Sequence, residues 1–317
     1  IPARIGPSGR ALTLVAGADR LAQATSAPVA VICVLRNEMF FLPQFLAHYR
    51  RLGVTAFLIG DNGSDDGSAE YLAAQPDVVL FSAPTPFREA MQGTEWKIAL
   101  MAQLRPGGWS LIADADELLV ARGLRGPGHP QGWQGGLSLP DFLAQPQFAG
   151  CDAFRLMMLD MYPEGPLSQA TFAGGDPFAE AGLADRAPFR PQWLGHGPYS
   201  DRRAVTSALR HRLLPGARPD MFVAEKVALF RYRPWMRLSV SLHYAAEVQL
   251  APQELIFAHF KYTAEFRAKA RREIRRGQYY DNAAEYRRYM ALLSEGRAVI
   301  ADPAVSVPWR QAVAGWL

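Results

Sequence analysis

Asp114, Asp116 and Glu117 fall within four positions of the stretch LIADADELLV, residues 111–120, where an apolar run typical of a buried strand stops. Carboxylate oxygens gathered in this way suit a hard divalent cation such as Mg²⁺ or Mn²⁺. In an extended segment, residues i and i+2 project to the same side. Asp114 and Asp116 are therefore expected to approach one cation together while Ala115 faces away. Two carboxylates leave most of an octahedral shell for water and phosphate oxygens. A solvated acidic turn would use the same residue types.

Two further polar stretches end apolar runs. DNGSDDGS, residues 61–68, follows a predicted strand directly; Gly63 and Gly67 permit sharp turns, and Asp61, Ser64 and Asp65 offer polar contacts, as a strand-to-helix turn also would. Arg36, Asn37 and Glu38 end the run VAVICVL. Lys97, Arg210, Lys226, Arg231 and Lys261 are candidates to offset phosphate charge, with Lys226 and Lys261 foremost.

The elements that must position these groups follow from periodicity. Strands are expected at 29–35, 54–60, 78–82, 109–114 and 151–162, and helices at 37–51, 69–74 and 92–104. Such alternation predicts a mostly parallel, doubly wound sheet flanked by helices, in which ligands gather beyond the carboxyl ends of the strands. Residues 121–140 are rich in Gly and Pro and read as a surface loop. Residues 163–203 read as a long excursion over the site. Amphipathic basic helices are expected at 264–276 and 282–294.

VICVLRNE, FLIGDNGSDDGS and WSLIADADEL, in this order and spacing, resemble a family 2-type glycosyltransferase of the GT-A fold, of the bacterial subgroup with an Asp-x-Asp-Glu metal motif. EKVALFRYRPWMRLSVSLHY followed by LIFAHFKYTAEF is similar to that subgroup's Lys…Ser-x-His…His-Phe-Lys pattern, so the likeness spans residues 29 to about 290. It implies a nucleoside diphosphate sugar as donor, a UDP-sugar first, a glycan or glycolipid acceptor, Mn²⁺ or Mg²⁺, and inversion at the anomeric carbon. It further implies that Asp61 contacts the base or ribose, with Arg36, Asn37, Glu38 and Asp65 near it. Asp114 and Asp116 would reach the metal and diphosphate, completed by His259, and Lys97, Lys226, His243 and Lys261 would line the donor site. A strand through AHFK would aim His259 and Lys261 the same way. Asp160 ends the strand after the metal motif and is expected to serve as catalytic base, ahead of Glu117 and Glu164, because a base must stay free of the metal. The Gln-x-x-Arg-Trp motif of processive synthases is absent.

Alternative readings are a haloacid dehalogenase-like phosphatase, a sugar nucleotidyltransferase, and an inactive binding module of the same fold. Three βα units precede the Asp-x-Asp, against the first; a glycine-rich phosphate loop is missing after the first strand, against the second.

The 317 residues are expected to divide into an N-terminal extension 1–27, a catalytic domain 28–262 and a basic helical extension 263–317. With 34 basic and 30 acidic residues the net charge is only +4, which argues against a nucleic-acid partner. Cys33 and Cys151 are too few for a cysteine-based metal site and predict reduced thiols. No apolar run approaches the length of a membrane span, and the N-terminus lacks the apolar core of a signal peptide, so a cytoplasmic protein is expected. Nine Lys or Arg between Lys261 and Arg288, with Phe266, Tyr279, Tyr280 and Tyr286, suggest either a solvated helix face or peripheral contact with the inner membrane surface.

Overall fold

The structure, a computed structural model, describes residues 4–7, 9–278, 280–294 and 298–317. Tyr279 lies outside the described residues, as does the side chain of Tyr280.

Ten strands form one mixed, mostly parallel sheet: β1 Arg4–Ile5, β2 Leu12–Ala16, β3 Val29–Leu35, β4 Phe57–Asp61, β5 Val78–Ser82, β6 Trp109–Ile112, β7 Glu117–Val120, β8 Ala153–Asp160, β9 Glu225–Arg231 and β10 Leu255–His259. Their spatial order is β1-β2-β5-β4-β3-β6-β9-β8-β10-β7. β3, β4, β5 and β6 are parallel, as are β8 and β10. β9 runs antiparallel between β6 and β8. The architecture is thus α/β, compatible with a Rossmann-like fold. All seven β3 residues are buried, as expected for a strand covered on both faces.

Three boundaries differ from the periodicity reading. The first long helix spans Leu42–Arg51 rather than starting at Asn37, because Asn37 takes a left-handed φ of 56° and helical geometry begins only after the Glu38 carbonyl accepts from the Phe41 and Leu42 N–H groups. β4 starts at Phe57, not residue 54. The run LIADADELLV is not one strand: β6 stops at Ile112, residues 113–116 turn, and β7 crosses to the far edge to pair antiparallel with β10. Asp114 and Asp116 therefore sit on a turn, and the i, i+2 argument for their common direction does not apply.

The expected extensions are built into the molecule. β2 pairs with β5, and Trp309 and Val313 belong to the main core. Among the described residues, no helix is long and apolar enough to cross a membrane.

Candidate active site

β3 has β4 on one side and β6 on the other, so the strand order reverses between β3 and β6. Beyond the carboxyl ends at such a reversal a crevice forms. Here it is a cavity of about 550 Å³. Because β9 is antiparallel, its first residues, Glu225 and Lys226, lie at this same edge. Glu117, His259 and Asp160 stand side by side in register on β7, β10 and β8.

The turn after β6 is closed by its own glutamate. The Glu117 N–H donates to the Asp114 carbonyl, and Glu117 Oε2 accepts from the Asp114 N–H, both at 3.0 Å. Glu117 Oε1 takes the Lys226 ammonium, so this buried carboxylate is fully engaged. Asp114 accepts from Lys97 Nζ at 3.0 Å and Lys226 Nζ at 2.9 Å. Burial would raise the Asp114 pKa, but Lys226 and Lys97 outweigh it and hold the group well below the ordinary carboxylate value. Burial would likewise lower Lys226, yet Asp114 and Glu117 push it up. Asp116 accepts from Lys269 Nζ at 3.3 Å, and Lys269 also reaches Glu38 at 2.8 Å. Burial lifts the Glu38 pKa to about 7 despite that lysine.

Asp160, expected as the base, is occupied. Arg210 donates to both its oxygens at 2.9 Å, Ser207 Oγ donates to one, and His259 Nδ1 stands 2.6 Å away. Burial would raise this carboxyl, but Arg210 and His259 drive it far below its usual range. An ionised carboxylate only accepts, so His259 Nδ1 donates to Asp160 and Nε2 is turned toward Asp116. Asp160 is a positioning residue for Arg210 and His259. Glu164 is exposed and does not line the cavity.

The donor chemistry of this corner fits a hard cation in part. His259 Nε2 and Asp116 Oδ2 face one another at 3.8 Å, too far for a hydrogen bond. That gap is within the reach of two ligands each bound at about 2.0–2.2 Å to one ion, and a carboxylate behind the imidazole is the usual support of a ligating histidine. Among the described residues, however, no group of three or more His, Cys, Asp or Glu side chains is close enough to hold a metal ion. The three-ligand set of Asp114, Asp116 and His259 is not assembled while lysines hold Asp114.

DNGSDDGS and RNE turn out to be one interlocked structure. Ser64 Oγ, Ser68 Oγ and Asp66 Oδ2 accept from the N–H groups of Asn37, Glu38 and Met39, and Asn37 and Asp65 exchange hydrogen bonds at 2.7 and 2.8 Å. Asp61 accepts from the Gly63 and Ser64 N–H groups at 3.1 Å and from Ser64 Oγ. Asp61, Asn37 and Asp65 do not line the cavity; Arg36, Glu38 and Asn62 do. Asp61→Ala is accordingly expected to cost about 1–3 kcal/mol of stability, by freeing three donors. Unaltered chemical denaturation with weakened nucleotide binding would instead make Asp61 a direct contact.

Of the remaining residues, Lys261 lines the cavity and pairs with Glu285 at 2.7 Å. His243 donates Nδ1–H to the Glu225 carbonyl at 2.8 Å, which leaves Nε2 as an acceptor beside Lys226; burial keeps the ring neutral, its pKa pushed down to about 4. Arg231 lies at the opposite end of β9, over Trp109, away from the cavity.

Sequence reading missed the inward face of the tail helix Phe266–Arg276. Lys269, Glu273 and Arg276 line the cavity, and Arg276 donates to Asn62 Oδ1 across it. The signal was available: Lys269 and Glu273 share helical spacing with buried Phe266 and Ala270. Outward-facing Arg267, Arg271, Arg275, Arg287 and Arg288 are exposed. The excursion 163–203 contributes a hairpin, Phe189–Trp193 with Arg203–Ser207, whose loop supplies Leu194, His196 and Tyr199 to the rim.

Every carboxylate among the described lining residues has a cationic partner within 4.0 Å. The site is a balanced ionic cluster. No family model matches this chain, and no curated protein matches it.

Proposed function

We propose that this chain is a glycosyltransferase with a GT-A-type site, moving a sugar from a nucleoside diphosphate donor, UDP-sugars first, to a hydroxyl acceptor on a glycan or glycolipid. The observation that carries the reading is the cavity at the strand-order reversal, where Arg36, Lys97, Lys226 and Lys269 face Glu38, Asp114 and Asp116. Strand-end carboxylates paired with ammonium groups suit a diphosphate that arrives with a divalent cation, the ammonium groups meeting the one and the carboxylates the other. A bare binding cavity has no need of acids there.

Lys97 and Lys226 each hold one contact to Asp114. On donor binding their ammonium groups turn to the diphosphate oxygens, which opens Asp114 to a cation. Asp114, Asp116 and His259 would then hold Mn²⁺ or Mg²⁺, whose charge offsets that of the leaving diphosphate. Arg210 stays fixed on Asp160 and keeps the His259 ring in place.

For the base, the carboxylates are all paired, and His243 Nε2 is the buried-side acceptor next to Lys226. A diphosphate beside it would raise its depressed pKa toward the working range of a general base. Attack by the acceptor oxygen in a single displacement inverts the anomeric centre.

The test is a panel of nucleoside diphosphates with Mn²⁺ in thermal unfolding, followed by transfer from the matching nucleotide sugar. A ligand at one hundred times its Kd should add about 2.7 kcal/mol to the folded state. Absence of any nucleotide-dependent shift, or turnover undiminished by EDTA, would remove the donor class or the metal respectively. Binding without transfer or hydrolysis of any sugar donor would favour the binding-module alternative.

The outward arginines suit peripheral contact with an anionic membrane surface, each adding about 1 kcal/mol near the headgroups. Co-sedimentation with phosphatidylserine vesicles should therefore fall steeply with salt. Equal sedimentation with neutral phosphatidylcholine would sink that idea.

A further inference from the structure

A second cleft, of about 430 Å³, shares no lining residue with the catalytic cavity. Five separate segments build it, Leu118 of β7 among them. Gln44, His48 and Arg51 come from one face of the helix Leu42–Arg51, at spacing i, i+4, i+7. Trp133 comes from the Gly/Pro-rich loop, Phe178 from the excursion, and Trp309 with Arg310 from the C-terminal segment.

Each tryptophan carries a guanidinium. Arg51 lies 3.9 Å over the Trp133 ring and Arg310 lies 5.7 Å over Trp309. Neither arginine has an ion-pair partner among the described residues, in contrast to the paired cations of the catalytic cavity. The cleft also holds unused hydrogen-bonding capacity. Gln44 Nε2 donates to the Phe172 carbonyl at 2.9 Å, while its Oε1 is buried with no partner.

We propose that this cleft binds an anionic saccharide. The half-buried Trp133 indole can pack against the C–H face of a sugar ring while Trp309, buried in the core, forms the cleft wall, a stacked and preorganised guanidinium recognises a carboxylate or sulfate, and few convergent polar atoms set orientation. A flat nucleobase fits less well. Trp133 stands at 76° to His48 and Trp309 at 48° to Phe178, and the one near-parallel pair, His48 and Phe178 at 28°, has its centroids only 6.1 Å apart, too close to admit a further ring. The proposal does not depend on the catalytic reading, because it uses none of the same groups.

The experiment is isothermal titration of the full chain with tetragalacturonate, against maltotetraose, inorganic sulfate and AMP. Tetragalacturonate is expected to bind, and Arg51→Gln with Arg310→Gln to weaken it by roughly tenfold or more, with thermal unfolding unchanged. Glu117→Gln, a change in the catalytic cavity, should leave this binding intact. The proposal is overturned if tetragalacturonate fails to bind, if sulfate or AMP binds the cleft as tightly, if maltotetraose binds equally, or if the arginine pair has no effect.

Discussion

Asp160→Ala is expected to lower the unfolding free energy by about 3–5 kcal/mol, the cost of stripping a buried guanidinium of its partner. Arg210 is itself buried, and its Nε and Nη2 both donate to Asp160, so both lose their acceptor together. The sign of the pH dependence follows from the depressed carboxyl. Its folded pKa lies far below the unfolded value of about 3.9, so the stabilisation is fully present above that value and is lost as pH falls below it. Wild-type stability should thus fall more steeply on acidification below about pH 4 than that of Asp160→Ala. Chemical denaturation across pH checks this. Were Asp160 the catalytic base, Asp160→Asn would abolish turnover while leaving stability and metal response alone. As a positioning residue it should also weaken apparent Mn²⁺ affinity, by about 10–100-fold, because the His259 ring loses its support. An unchanged Mn²⁺ response would return Asp160 to the list of bases.

The sheet was legible because β3, β4, β5 and β6 are continuous apolar runs bounded by polar residues, and their buried faces leave no ambiguity of period. β7 was not, because ELLV looks like a continuation of SLIAD; only the Glu117 side chain closing the turn on the Asp114 N–H separates them. Long-range pairing of β7 with β10 is a tertiary choice that no local pattern encodes. For the site, the strand-end position of Asp114 and Asp116 followed from topology, Lys226 and His259 came in through the motif resemblance, and all four line the one cavity. The roles of Asp61, Asp65 and Asn37 did not, since a carboxylate that fastens a loop and one that binds a ligand have the same sequence appearance. Asp160 misled for a related reason: its partners Arg210 and Ser207 lie some fifty residues on, and only their arrival converts a free strand-end acid into a buried ion pair. The charged inner stripe of Phe266–Arg276 was hidden by the abundance of arginine around it.

Lys226→Met should reduce kcat/KM for sugar transfer by about 10²–10³, the range for deleting one preorganised donor to a developing anion. Lys226 touches both Asp114 and Glu117, more acids than Lys97 or Lys261 reaches, and methionine keeps the length of its buried stem. Its loss leaves Glu117 without a cation, and burial, which already raises that pKa, will raise it further. The variant is therefore expected to fold with some loss of stability while the charge balance of the cavity turns more acidic. That shift separates two roles. If Lys226 acts on the diphosphate, nucleoside diphosphate affinity must fall far more than nucleoside affinity, since only the former carries the charge it would meet. Added Mn²⁺ should then restore part of the binding, because Asp114 has one ammonium to release, that of Lys97, instead of two. If Lys226 merely neutralises Asp114 and Glu117, both affinities fall together in proportion to lost stability, and Mn²⁺ rescues neither. Equal losses for nucleoside and nucleoside diphosphate would thus take Lys226 out of the donor site, and with it the partner exchange on which the proposed chemistry depends.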